Sequence, residues 1–200
     1  MKNFVNYLIK FFHYFILTQY PLSIQMKLYQ QKIQTPLGTM VACANENGLC
    51  LFDFEDTKNL DKELLQVSEK LQSTIYEEEN TILKLLKTQI TEYFNGQRKS
   101  FSVPLILIGT KFQREVWQTL LKIPYGSSIS YLHEATLMGR PKSVRAVANA
   151  NGRNKIPILI PCHRVIGANK TLTGYSGGIW RKEFLINLEK NFSTLSLTKG

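Results

Sequence analysis

The sequence predicts an α/β protein of the α+β kind: a strand-rich N-terminal half built on a mixed β-sheet, then a mainly helical C-terminal half with a helix-turn-helix. Three observations predict this. From Leu28 to Phe54 the chain alternates apolar and polar residues between turn-forming tetrapeptides, the period-two signature of strands and hairpins. After Asn80 apolar residues recur at helical spacing. The charge also changes sign between the halves: residues 26–109 carry 9 Lys+Arg against 11 Asp+Glu, and residues 110–190 carry 13 against 4.

A chain of 200 residues suits one large domain or two small ones with a real core. With 44% hydrophobic and 20% charged residues, the composition is that of an ordinary soluble globular protein. The net charge of +10, concentrated in the second half, suggests a polyanionic partner, and nucleic acid is the usual one. Three cysteines are too few for a disulfide framework and point to a reducing compartment, the cytoplasm or, in a eukaryote, the nucleus. Cys43 and Cys50 have no histidine nearby and read as core thiols, so no metal site is expected.

Residues 1–25 are apolar and aromatic but broken by Lys10 and His13. The stretch is too short and interrupted to span a bilayer and lacks a small-residue cleavage site. A weak membrane-surface helix is one reading of it; the preferred one is a dispensable extension, with no membrane partner, to a domain that begins near Met26. A strand then runs to about Ile33 and turns at Thr35-Pro36-Leu37-Gly38. Two more, Thr39 to Ala44 and Leu49 to Phe54, are joined by Asn45-Glu46-Asn47-Gly48 in hairpin fashion. Asp56 to Glu79 is acid-rich, helix plus loop. Asn80 caps a helix whose apolar face is Ile82, Leu83, Leu86, Ile90, Tyr93 and Phe94, ended by Asn95-Gly96. Phe101 to Ile108 is a further strand or an extended linker. The boundary falls there, giving domains at 26–109 and 110–190 and a tail at 191–200.

Thr110-Lys111-Phe112-Gln113 has capping-box spacing and opens a helix through Val116, Trp117 and Leu120 that Ile123-Pro124-Tyr125-Gly126 stops. Ser130 caps a helix from Tyr131 to Met138, ended by Gly139. Arg140-Pro141 starts another that runs to Asn151-Gly152. Two short helices joined by a glycine turn outline a helix-turn-helix. In the second, Val144, Ala146, Val147, Ala148 and Ala150 make a narrow helix, while Lys142, Arg145 and Asn149 share a polar face. A narrow helix lets its backbone approach DNA closely.

The stretch Ile156 to Val165, IPILIPCHRV, sets a cysteine, a histidine and an arginine side by side after an apolar run. Pro157 and Pro161 bracket Ile158-Leu159-Ile160, so a short buried strand or extended segment delivers Cys162 to a proline-held bend. A neighbouring imidazole or a basic environment lowers a thiol's pKa, and the thiolate is the attacking species. Cys162 is thus a candidate nucleophile. Adjacent side chains on a strand point to opposite faces, so His163 helps it only if the chain leaves strand geometry at Pro161 or acts through a water.

Taken together, Ser143-Val144-Arg145-Ala146-Val147, Asn154, IPILIPCHRVIG and Leu172-Thr173-Gly174-Tyr175-Ser176-Gly177-Gly178 closely resemble the O6-alkylguanine-DNA alkyltransferases, or methylated-DNA-protein-cysteine methyltransferases. The resemblance covers residues 110–190 through all these motifs and residues 27–109 loosely. It implies an RNase H-like N-terminal domain and single-turnover transfer of the alkyl group of O6-methylguanine, with O4-methylthymine as secondary lesion, to Cys162. It implies that His163 deprotonates Cys162 through a water, that Glu189 orients His163, and that Asn154 stabilises the loop before Cys162. Arg145 would take the place of the extruded base, and Tyr131 would crowd the phosphate and donate a proton near guanine N3. Ser143 and Ala146 would join the contact with double-stranded DNA in the minor groove. Tyr175, Ser176, Pro157 and Val165 would line the pocket. A monomer without cofactor is implied. Ala148, Asn149 and Lys155 depart from the residues commoner in the family.

The chemistry agrees with the composition of the motif. Displacement at saturated carbon favours a soft nucleophile such as thiolate, and the thioether product has no good leaving group, so one molecule acts once. A regulator without chemistry leaves Pro-Cys-His-Arg unexplained, and a cysteine hydrolase gives no reason for the basic helix-turn-helix.

Overall fold

A computed structural model describes residues 27–197; the predicted extension 1–25 lies outside the described residues. The N-terminal sheet consists of β1 (Lys27–Thr35), β2 (Gly38–Asn45), β3 (Gly48–Phe54) and β4 (Thr74–Tyr76). Its order is β3-β2-β1-β4, antiparallel except for the parallel β1–β4 pair, hence mixed. The first turn is tied by Thr35, whose Oγ1 accepts from Leu37 N, and the second by Asn45, whose Oδ1 accepts from the amides of Asn47 and Gly48. Such local bonds are why Thr and Asn mark turns.

Both faces of the sheet are covered, which is why β3 is buried throughout. Val41, Cys43 and Leu51 face Leu60 and Val67 of α1 (Leu60–Leu71), whereas Met40, Ala42, Phe52 and Phe54 join the cluster containing Leu83, Leu86 and Ile90 of α2 (Thr81–Phe94). Cys43 and Cys50 are wholly buried on the α1 side. Asn80 caps α2 by accepting from Leu83 N at 2.9 Å and donates to Asn45 O at 3.1 Å, so the cap also docks the helix onto the hairpin. The strand β4 was not foreseen within the acidic stretch. Three residues are too few to show a period, and its pairing with β1 defines it.

Residues 101–108 form an extended linker rather than a full strand, hydrogen-bonded to Leu49 by its amide to Pro104 O and its carbonyl to Ile106 N, both 2.8 Å. A Cβ at Gly48 would lie 2.7 Å from Pro104 O, so only glycine admits this approach. Beyond it, α3 (Lys111–Leu120) begins with a complete capping box between Thr110 and Gln113. Then come β5 (Ile129–Ser130) and α4 (Tyr131–Leu137), capped by Ser130. A 3-10 turn, Pro141–Ser143, leads into α5 (Val144–Asn151), so the helix predicted from Arg140-Pro141 starts in tighter geometry. Finally β6 (Val165–Ile166) pairs in parallel with β5, and α6 (Ile179–Leu197) carries the chain through most of the predicted tail.

One hydrophobic cluster runs through both halves, from Phe54 and Tyr93 to Trp117, Val147, Cys162 and Leu185. Arg181 of α6 reinforces it. Nε donates to Leu37 O at 3.0 Å, Nη1 to Gly177 O at 2.9 Å, and both terminal nitrogens to the Asp56 carboxylate, with the guanidinium 3.9 Å above the Phe54 ring. Arg181 is buried while Asp56 is exposed. Arg181→Ala should therefore cost about 2–3 kcal/mol by stripping two carbonyls of their donor, and Asp56→Asn less than about 1 kcal/mol, as read by urea unfolding.

Candidate active site

Cys162 opens a 3-10 turn, Cys162–Arg164, and the run before it is not a strand. Apart from one bridge, Pro157 to Ile160, residues 156–161 carry no ladder. Instead the chain folds back on itself, with Ile160 N donating to Ile156 O at 3.0 Å. Ile158 at the tip adopts φ 74°, a left-handed conformation that costs a β-branched residue about 1–3 kcal/mol. Asn154 clasps both ends of this loop: its Oδ1 accepts from Ile156 N at 3.0 Å and its Nδ2 donates to Ile160 O at 2.9 Å. Pro161, at φ −82° and ψ 61°, then makes an inverse γ-turn closed by Cys162 N on Ile160 O. The chain has left strand geometry at Pro161, so Cys162 and His163 stand about a third of a turn apart.

The thiol is only 6% exposed and belongs to the core cluster. Asn154 Nδ2 approaches its Sγ at 3.2 Å. The expected lowering of its pKa is not found. Burial pushes the thiol up to about 11, against the pull of the Asn154 hydrogen bond and the Lys182 charge. The imidazole offers no positive charge to counter this, because burial lowers the His163 pKa despite the Glu189 hydrogen bond and leaves the ring neutral at pH 7.

His163 reaches Glu189 through Nε2, 2.8 Å from Oε1. A carboxylate only accepts, so the hydrogen-bond network assigns the ring proton to Nε2 and leaves a lone pair on Nδ1. That Nδ1 is buried and has no hydrogen-bond partner. Glu189 itself is 1% exposed. It also accepts from Tyr93 Oη at 2.8 Å, Gly126 N at 2.9 Å, and Arg164 Nη2 at 2.9 Å and Nε at 3.0 Å. Burial alone would raise its pKa, but His163 and Arg164 hold it down at about 2.

Tyr93, Arg164 and Lys182 had no assigned role in the sequence reading. Lys182 is completely buried, and its Nζ donates to Val165 O and Thr173 O at 2.5 and 2.7 Å. Burial lowers its pKa to about 8, with Cys162 acting in the opposite direction. An Arg-Lys pair on a helix reads as solvated charge, so only the fold exposes this role. For Tyr93 the signal was its place on the apolar face of α2, which hid its hydroxyl.

The remaining predicted residues divide between an exposed surface and buried positions. Arg145 and Ala146 are exposed on α5 beside Lys142 and Asn149, and Ser143 is half-buried before them. Tyr131, at the start of α4, donates from Oη to Thr173 O at 3.2 Å and has Lys182 Nζ 5.7 Å from its ring. It thereby joins the helix-turn-helix to the loop that carries Tyr175 and Ser176. Tyr175 and Val165 are buried in the same cluster as Cys162, Pro157 is buried in the loop before it, and Tyr175 Oη has no partner. A cavity of about 730 Å³ is lined by Asn154, Ser176 and Gly177 on one side and by Asp53 and Asp56 of the sheet domain on the other; of the predicted pocket residues it includes Ser176 but not Tyr175, Pro157 or Val165, and Cys162 does not line it. Burial raises Asp53 to about 7. No residue before Tyr131 had been expected here.

Comparison with known proteins bears on what this arrangement is for. Residues 28–107 match the family model described as 6-O-methylguanine DNA methyltransferase, ribonuclease-like domain, and residues 111–191 match 6-O-methylguanine DNA methyltransferase, DNA binding domain. The constitutive methylated-DNA–protein-cysteine methyltransferase of Bacillus subtilis is 43% identical over 163 residues, which are 81% of this chain and 95% of that protein. The Methanosarcina barkeri methyltransferase of the same name is 38% identical, over 82% of this chain and 98% of that one. Among solved structures, Mycobacterium tuberculosis OGT in complex with DNA superposes with a TM-score of 0.70 at 36% identity, covering 83% of this chain and 94% of that one. With both halves matched in order and relatives spanned almost end to end, the chain belongs to the 6-O-methylguanine DNA methyltransferase family.

Proposed function

We propose that this protein repairs DNA by direct reversal, moving the alkyl group of O6-methylguanine, and secondarily of O4-methylthymine, onto Cys162 once per molecule. Membership of the family supports the activity and DNA as the partner. The observation that carries the residue roles is the linked set at the turn: Asn154 on the Cys162 sulfur at 3.2 Å, and His163 on Glu189 at 2.8 Å with a bare Nδ1.

The step balances without a cofactor. The Cys162 S–H proton passes through a water to His163 Nδ1, and the resulting imidazolium is stabilised by Glu189, which stays ionised. The thiolate attacks the methyl carbon, a C–S bond forms, and the C–O pair leaves on the guanine, which takes a proton from the Tyr131 hydroxyl; solvent carries the His163 proton back to the tyrosinate, so that the net change is one proton moved from thiol to guanine. Lys182 supports the thiolate, as its charge already favours that form. Arg145 on the exposed face of α5 fills the stack when the base rotates out through the minor groove, with Ser143 and Ala146 against the backbone and Tyr131 at the phosphate. Tyr175, Ser176, Pro157 and Val165 hold the base. The protein acts as a monomer in the cytoplasm, or the nucleus of a eukaryote. Among the described residues, no helix is long and apolar enough to cross a membrane.

Titrating the protein with excess methylated duplex should end at one equivalent, with the lost O6-methylguanine recovered as S-methylcysteine at position 162 by peptide mass mapping. Conversion beyond one equivalent would make it a turnover enzyme. Cys162→Ala should bind DNA and transfer nothing, since phosphate contacts do not involve the thiol.

Arg145→Ala should slow repair of duplex DNA by about 10–100-fold while leaving transfer from free O6-benzylguanine within about twofold, because only the duplex must be opened against stacking. Equal losses on both substrates in single-turnover assays would assign Arg145 to the fold instead.

A further inference from the structure

Glu134 lies on α4 three residues after Tyr131 and is wholly buried. It faces Asn151, the last residue of α5, six residues after Arg145. Asn151 Nδ2 donates to Glu134 Oε2 at 2.7 Å. The other polar atoms of the pair, Glu134 Oε1 and Asn151 Oδ1, are buried and have no partner. For an ionised carboxylate this is a costly arrangement: two acceptors out of water, with neither donor nor cation to satisfy them. A protonated carboxyl resolves both atoms at once. An acid and a primary amide close a ring of two hydrogen bonds, and the two leftover atoms are the ones its second bond would join, Oε1–H to Oδ1.

The surroundings supply no counter-charge. The ionisable groups on the elements packed against Glu134 are Tyr131 and His133 on α4, Lys111, Arg114 and Glu115 on α3, Arg140 and Lys142 around the 3-10 turn, and Arg145 on α5; Lys111 and His133 are exposed. Glu115 pairs with Arg140 at 2.9 Å, Arg114 binds Gly109 O, and Lys142 and Arg145 are exposed. Tyr131 senses Glu134: its pKa is raised mainly by burial, with Cys162 and Glu134 adding to it.

We propose that Glu134 is a positioning residue that works as a neutral acid: paired with Asn151, it locks α5, which presents Arg145, onto α4, which presents Tyr131. Ionisation opens the pair and loosens the helix-turn-helix. The inference rests on the reading above that Tyr131 and Arg145 act on the duplex. Burial pushes the Glu134 carboxyl up to about 7, with the Asn151 hydrogen bond opposing. A folded pKa above the ordinary carboxylate value means that the stabilisation is complete below about pH 4.5 and is lost as pH rises through about 7.

Glu134→Gln tests this, because an amide donates to Asn151 Oδ1 and accepts from Nδ2 at every pH. The measurements are urea unfolding and single-turnover transfer from methylated duplex and from free O6-benzylguanine, from about pH 5.5 to about pH 8.5. Across that range the unfolding constant of the wild type should rise at least about tenfold relative to the Gln variant. The ratio of duplex to free-base rates should fall in the wild type and stay level in Glu134→Gln. Glu134→Leu, which cannot pair with Asn151, should show a low ratio at all pH values. Parallel unfolding curves for wild type and Gln would overturn the proposal, as would a Leu variant equal to Gln in duplex repair. The unfolding comparison needs neither DNA nor transfer, so a failure of Cys162 to gain alkyl mass would count against the proposed function alone.

Discussion

Glu189 stands on α6 and accepts hydrogen bonds from Tyr93 on α2, from the amide of Gly126, and from His163 and Arg164 on the turn that begins at Cys162. A carboxylate this deeply buried costs several kcal/mol unless its lone pairs are filled. The donors come from segments far apart in sequence, so the charge is tolerable only when the sheet domain, the loop before α4 and the nucleophile's turn have all docked on α6. Completion of the fold and orientation of His163 are one event. The same demand explains why Arg164, flanking the nucleophile, is buried and fully engaged, with Nη1 on Ile123 O.

The environment built this way keeps the sulfur quiet. At about 11, the resting thiol is mostly protonated, and a neutral imidazole waits beside it without the charge that would ionise it permanently. Oxidants and adventitious electrophiles react with thiolate, so a buried neutral thiol survives until its substrate arrives. A protein that reacts once has more need of this than one that turns over. Asn154 serves both ends of the requirement, clasping the strained loop at Ile158 and pointing its amide at the sulfur.

What was legible in the sequence was local or motif-borne. Asn45, Asn80, Thr110 and Ser130 each bond to a backbone amide two or three residues ahead, so turns and helix starts could be read from a few letters. The strands β4, β5 and β6 could not, since two or three residues carry no period and only their partners define them. The motif named Cys162 and His163 and the family resemblance added Glu189, but the protonation of the thiol depends on burial, which adjacency in sequence does not report. Lys182 and Glu134 were invisible for the same reason. One reads as a solvated helix charge and the other as an ordinary helix carboxylate, until packing removes both from water.

Gly177, in the pocket loop, has no room for a side chain, because a Cβ there would lie 2.8 Å from the Phe54 ring of β3. With Arg181 binding the carbonyls of Leu37 and Gly177 from the same side, the seam between the halves also supports the loop that carries Tyr175 and Ser176. The linker at residues 101–108 looks in sequence like a natural crossover point for shuffling genes. A chimera joined there would set one ancestor's sheet against another's Tyr175–Gly178 loop, and mismatched ring and glycine would meet at that seam. A chimera that works therefore needs the ring at position 54 and the glycine at position 177 to come matched.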